Sequence, residues 1–145
     1  MAVTAKLYGG FLQSLAAGEI NLASDTLKAM LCTSAYTPNQ DTHRYKSSVT
    51  GEVTGTGYTA GGKSLTGVTV TYDAATNRLR LDSDDPSWPD STITCRYLVF
   101  YDATPASDAT RPLIAYVDFG ADVSTTAGTF TAAINAAGIA TITAD

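Results

Sequence analysis

Short apolar–polar alternation, repeated between turn-forming residues, constrains this chain more than any other feature. Val68, Val70 and Tyr72 alternate with Thr69 and Thr71. Side chains on a strand point to opposite faces with a period of two, so this pattern predicts a half-buried β-strand. Asp73-Ala-Ala-Thr-Asn77 then turns the chain and Arg78–Asp82 returns it, as in a hairpin. Leu27, Ala29 and Leu31 alternate with Lys28, Met30 and Cys32, predicting a strand over Thr26–Thr33. The run Ile93–Tyr101 is the most apolar in the chain. Its second half loses the alternation, which predicts cover on both faces. Ile114–Phe119 reads as a further strand. Thr129–Ile134 and Ile139–Thr143 read as a closing pair across Asn135–Gly138.

A different period appears near the beginning. Leu7, Phe11, Leu12, Leu15 and Ala16 share one face of a helix over Lys6–Ala17, with Gly18 as its stop. Residues 1–5 would then form an N-terminal arm. The expected architecture is all-β, a single β-sandwich or jelly-roll-like domain of about eight short strands with one short N-terminal helix. One domain, residues 1–145, suits the length. A chain of this size buries roughly 68–70% of its unfolded surface, enough for a core without cross-links.

Between these elements lie loops. Ala35–His43, with Pro38 and Asn39, is polar and irregular, and a single helical turn is expected over Arg44–Val49. Gly51–Gly62 is rich in Gly and Thr and reads as irregular edge strand.

Charge narrows the range of partners. The net charge is −5, and the nine Lys and Arg residues form no basic run. Nucleic-acid recognition normally needs a basic stripe, so no nucleic-acid partner is expected. No apolar stretch approaches the roughly 20 residues that span a bilayer, and the opening MAVTAKLYGG lacks the apolar centre of a signal peptide. No membrane partner is expected either.

Candidate chemistry is sparse. Gly57-Tyr-Thr-Ala-Gly-Gly-Lys63-Ser64 matches the spacing of a phosphate-binding loop. That loop works by aiming backbone N–H groups from a helix N-terminus. Here the following residues alternate as a strand, so nucleotide binding is not expected. Asp82-Ser-Asp84-Asp85 could offer oxygens to calcium, but it lacks the glycine and distal glutamate of a calcium loop. It reads instead as a solvated turn before Pro86. His43, the only histidine, lies in a polar loop without a nucleophile elbow, and reads as solvent-exposed. Cys32 and Cys95 sit in apolar segments and read as buried free thiols, with a disulfide between them the open alternative. No catalytic residue, cofactor or metal is expected. Trp88, flanked by Pro86 and Pro89 in an expected loop, either caps the core or serves recognition. The residues most suited to partner binding are Tyr36, His43, Arg44, Tyr45 and Trp88, which the expected loops would display.

Three segments carry a likeness to known proteins. They are Asp25-Thr-Leu-Lys28 with Leu31–His43, Gly55–Gly62 running into Leu65-Thr-Gly67 and Val70–Ala75, and Ile114–Gly120. Together they resemble a family of small virion structural proteins of tailed bacteriophages. The resemblance implies a virion component without a catalytic motif. It leaves head and tail placements open. A head decoration or cement protein is the leading expectation, binding the major capsid protein at the virion surface. A homo-trimer follows by analogy with such proteins. A minor tail or fibre-associated protein and a carbohydrate-binding module on the virion are the alternatives.

Overall fold

The computed structural model describes residues 2–145. It is an all-β sandwich of two antiparallel sheets with one short helix. The larger sheet orders its strands β1 (Thr4–Leu7), β7 (Leu113–Thr131), β6 (Ser87–Asp102), β2 (Leu27–Cys32) and β3 (Lys63–Ser64). The smaller sheet holds β4 (Thr69–Asp73), β5 (Arg78–Asp82) and β8 (Ala140–Thr143). No helix among the described residues is long and apolar enough to cross a membrane.

The long hairpin β6–β7 organises the molecule. It pairs from Tyr101 opposite Leu113 to Ser87 opposite Thr131, with four register shifts along the way. Each shift twists and bends the ribbon. The half of β6 nearest Asp102 is apolar on both sides because both sides are covered. Leu98 and Phe100 face the second sheet together with Leu31 and Ile114, in one cluster with Leu81 of that sheet. Val99 and Tyr101 face the opposite way, into a cluster with Tyr8, Met30, Tyr36 and Leu113. The lost alternation of Ile93–Tyr101 therefore has the expected cause.

The helix α1 (Gly9–Ala16) is shorter than the predicted span. Thr4–Leu7 pairs with Asp118–Ala115 as β1 instead of forming an arm and a first turn. Met1 lies outside the described residues. Two glycines open the helix, where Gly10 leaves no room for a β-carbon beside the Arg44 side chain. Gly18 closes it at φ 74°, with Gly18 N–H on the Leu15 carbonyl and Glu19 N–H on that of Ser14. This double bond satisfies carbonyls that the helix end would otherwise leave open. Phe11 is buried, whereas Leu12, on the predicted apolar face, is exposed.

The β4–β5 hairpin forms as predicted. The Asp73 carboxylate accepts the Ala75 N–H and the Thr76 hydroxyl inside the turn, and Asn77 takes φ 54°. Its inner face is covered only in part: Val70 packs on the core, while Tyr72, two residues on along the same face, is exposed. A 3-10 turn at Lys46–Ser48 matches the single turn expected there.

The predicted closing hairpin does not form. Thr129–Thr131 completes β7 beside β6, and β8 pairs with β5 through Leu81 opposite Ala140. The intervening segment crosses from one sheet to the other, held by Ala132 N–H on the Pro86 carbonyl and Ile139 N–H on the Leu81 carbonyl. Burial of Phe130 and Ala132 in the inter-sheet core fixes that crossing.

Candidate interaction surface

Of the five residues selected from sequence, two are not displayed at all. Trp88 is 2% exposed and lies on β6, not in a loop. Its ring packs against Tyr58 at 6.2 Å and Phe130 at 5.8 Å between centroids. The flanking prolines suggested a loop, but the strand passes through Pro89 by a register shift between Trp88 and Ser91, where Asp90 takes φ 50°. A bulge of this kind tolerates the missing proline N–H. Tyr36 is 1% exposed, within the second core cluster.

His43 is half-buried rather than exposed. The Asn39 N–H donates to its Nδ1 at 3.3 Å, which makes Nδ1 an acceptor. The Tyr36 hydroxyl therefore donates to the same nitrogen at 3.0 Å and accepts from Tyr8 at 2.9 Å. Arg44 and Tyr45 are partly exposed and converge on one carboxylate. Arg44 reaches Glu19 Oε1 at 2.5 Å, and the Tyr45 hydroxyl donates to Glu19 Oε2 at 2.9 Å. These bonds hold the Glu19 carboxyl below its usual range, chiefly through Tyr45. Arg44 Nε also bonds Ser14 Oγ at 3.2 Å. The 36–45 segment is thus pinned to α1 and to the core, and of the five selected residues His43, Arg44 and Tyr45 show part of their surface.

The remaining motifs have structural partners. Lys63 and Ser64 form β3, with Lys63 Nζ bonded to the Ser87 carbonyl, and no helix follows them. Asp82 pairs with Arg80 at 2.6 Å, Asp84 accepts the Thr66 hydroxyl, and Asp85 accepts the Ile134 N–H. Among the described residues no three His, Cys, Asp or Glu side chains converge as metal ligands. Cys32 and Cys95 are free and buried. Burial pushes the Cys32 thiol up to about 12 and the Cys95 thiol up to about 11, so neither is a ready thiolate.

The surface that the fold leaves unfinished lies along β1 and β7. The five-stranded sheet is wider than the three-stranded one, and Val3 and Ala5 line a cleft beside the segment that crosses between the sheets. A cavity of about 530 Å³ opens there, lined by Val3, Ala5, Val117, Phe119, Phe130 and Ile134 among others. Val3 is 62% exposed. The backbone is open at the same place. β1 pairs with β7 only as far as Asp118, and among the described residues no strand lies beside the outer edge of β7 from Phe119 to Thr131. No family, curated protein or solved structure matches the chain. The surface is therefore read from its own chemistry.

That chemistry is weakly charged. Asp122 is the only ionisable side chain between Phe119 and Thr131. Free strand edges offer N–H and C=O groups to another extended chain, and natural proteins usually guard them with charge, proline or bulges. Here the guards are slight: Gly120 at φ 80° and Ala127 at φ 46° bend the strand. On the same ribbon, Thr92, Thr94, Ser124 and Thr126 are exposed, with Thr94 and Ser124 hydroxyls 2.8 Å apart. The ribbon thus presents a backbone edge, an adjoining apolar groove and a row of uncharged hydroxyls. Such a combination suits protein contact more readily than small-molecule chemistry.

The sequence patterns that could have signalled this surface are indirect. Phe119–Thr131 is rich in small residues and hydroxyls, and nearly free of charge, which marks a strand that is not repelled by another. The groove depends on sheet width, which no local pattern encodes.

Proposed function

We propose that this protein is a virion structural component of a tailed phage, acting as a head decoration or cement protein that binds the major capsid protein. The observation that carries this reading is the open β1–β7 margin, where the free backbone edge of Phe119–Thr131 adjoins the apolar groove under Val3 and Phe119. A rigid sandwich with one unfinished margin can clamp an extended segment of a neighbour by strand addition, with apolar side chains seated in the groove. The resemblance of Leu31–His43, Gly55–Gly62 and Ile114–Gly120 to phage virion proteins supplies the setting. His43, Arg44 and Tyr45 offer a second, polar contact. A homo-trimer over a threefold position of the shell is the proposed assembly.

Clamping would stabilise the shell by linkage, in proportion to the affinity of the clamp for the assembled lattice over the free subunit. The test is reconstitution. Purified protein is added to shells that lack it, and bound protein is measured by sedimentation together with the temperature at which the shells open. Saturable binding with a raised opening temperature is expected. Shells that neither bind the protein nor gain stability would contradict the reading.

A further inference from the structure

The end of β6 carries a carboxyl group whose needs the fold does not fully meet. Asp102, the last residue of β6, lies opposite Leu27, the first residue of β2. Its side chain is fully buried. Thr104 N–H donates to Oδ1 at 2.9 Å, but Oδ2 has no hydrogen-bond partner among the described residues. Asp25, just ahead of β2, adjoins Asp102 at this joint, and its carboxyl acts on the Asp102 carboxyl second only to burial. The Asn21 N–H holds that second carboxyl at 2.8 Å. Backbone bonds tie the same two segments: Ala103 N–H to the Thr26 carbonyl and Thr26 N–H to Thr104 Oγ1, each 2.8 Å.

A buried carboxylate beside a second carboxylate is costly to charge, and a proton between the two turns repulsion into a hydrogen bond. The charged groups of neighbouring elements are occupied elsewhere. Lys46 is bonded to Asp108 and lies over the Tyr101 ring. Arg111 bonds Asp108 and the Pro105 carbonyl. Lys28, on β2, extends towards Gly61. Asp25 is the charged side chain that acts on the Asp102 carboxyl.

We propose that Asp102 and Asp25 share one proton, Asp102 Oδ2–H donating to the Asp25 carboxylate, as a pH-sensitive clasp that fastens the 103–112 connection to the start of β2. Burial first, and Asp25 second, push the Asp102 carboxyl up to about 6. A carboxyl raised above its unfolded value, about 3.9, holds its proton more tightly when folded. Its contribution is complete below the unfolded value and is lost as pH rises through the folded one. The clasp is closed in mild acid and loosens at neutral pH and above.

The experiment follows the side-chain carboxyl carbons of Asp25 and Asp102 by NMR on the full chain, from about pH 4 to about pH 8. Hydrogen-exchange protection factors at Ala103 and Thr104 are measured alongside. A step in the Asp102 carboxyl near its raised value is expected, with protection falling on the order of ten-fold above it. Asp102→Asn keeps the shape and a donor, so protection in that variant should no longer depend on pH. An Asp102 carboxyl that titrates with ordinary aspartates would overturn the proposal, and the unmodified chain alone decides this. So would a step that moves when calcium chloride is added, which would put a cation between the carboxyls in place of a proton.

Discussion

The Tyr36 hydroxyl donates to Nδ1 of His43 at 3.0 Å while accepting from Tyr8 at 2.9 Å. Burial pushes the Tyr36 hydroxyl up to about 12 and the Tyr8 hydroxyl higher still, so both stay protonated. Three residues from two parts of the chain thus form one directional chain of donors, ending at the only histidine. The imidazole must carry its proton on Nε2, which nitrogen NMR reports directly. Tyr36→Phe removes the central link and leaves the Tyr8 hydroxyl buried without an acceptor. A loss of about 1–3 kcal/mol is expected, read as a lower urea midpoint at unchanged slope.

Trp88 separates a core role from a recognition role. Its ring packs on Tyr58 and Phe130 between the sheets, so Trp88→Ala should cost about 3–5 kcal/mol and lower the thermal midpoint sharply. A carbohydrate platform would show the opposite pattern, with glycan binding lost and stability kept. Calorimetric unfolding of the variant distinguishes the two.

Gly62 tests the meaning of the glycine-rich Gly57–Ser64 segment. It takes φ 81°, and a β-carbon there would overlap the Ala29 carbonyl of β2. The glycine exists so that β3 can approach β2. Gly62→Ala should destabilise by more than about 1 kcal/mol, because both strain and overlap act. A phosphate-binding role predicts instead that added phosphate or nucleotide raises the melting temperature, and no such rise is expected.

Acid sensitivity has a second source of opposite sign to the Asp25–Asp102 clasp. Arg96 Nε bonds Asp118 Oδ1 at 2.7 Å, and the Gly120 N–H donates to the same oxygen at 2.8 Å. Arg96 chiefly holds the Asp118 carboxyl below its usual range. A lowered carboxyl contributes stability above its unfolded value, about 3.9, and that contribution disappears as pH falls through the folded value. The pair is partly exposed, so the effect is no more than about 1 kcal/mol. Unfolding of Arg96→Ala measured near neutrality and in acid should show a smaller acid loss than the unmodified chain.

Much of the fold is legible where the chain obeys a local period. Val70 alternates with polar neighbours because one face of its strand meets the core, and Met30–Cys32 and Leu98–Phe100 do not because both faces of those strands are covered. The rest depends on distant partners. Thr4–Leu7 is too short to declare itself and adjoins a helical pattern, so only pairing with Asp118–Ala115 makes it a strand. Ile139–Thr143 alternates as a strand, but its neighbour is β5 and not the adjacent Thr129–Ile134, a choice made by the inter-sheet core. Tyr36 and Trp88 lie among polar and proline residues that announce a loop. Their burial comes from hydroxyl and ring partners elsewhere in the chain. Asp102 follows Tyr101 as a turn aspartate would, and nothing local signals that its carboxyl is enclosed.

The open β1–β7 margin gives the proposed binding role a direct variant. Ala121 is exposed on the unpaired edge of β7. Ala121→Lys places a charge where another strand would lie, while the folded chain alone should change by less than about 0.5 kcal/mol. Shell binding should fall at least on the order of ten-fold, equivalent to about 1.4 kcal/mol. Unchanged binding would move the contact away from this edge.

The account as a whole turns on where the protein resides and in what number. Quantitative mass spectrometry of purified particles, scaled to the major capsid protein, measures this directly. Hundreds of copies per particle are predicted, as a lattice-bound decoration protein requires. A few copies would assign the chain to a tail or a vertex, and its absence from the particle would contradict the virion role altogether.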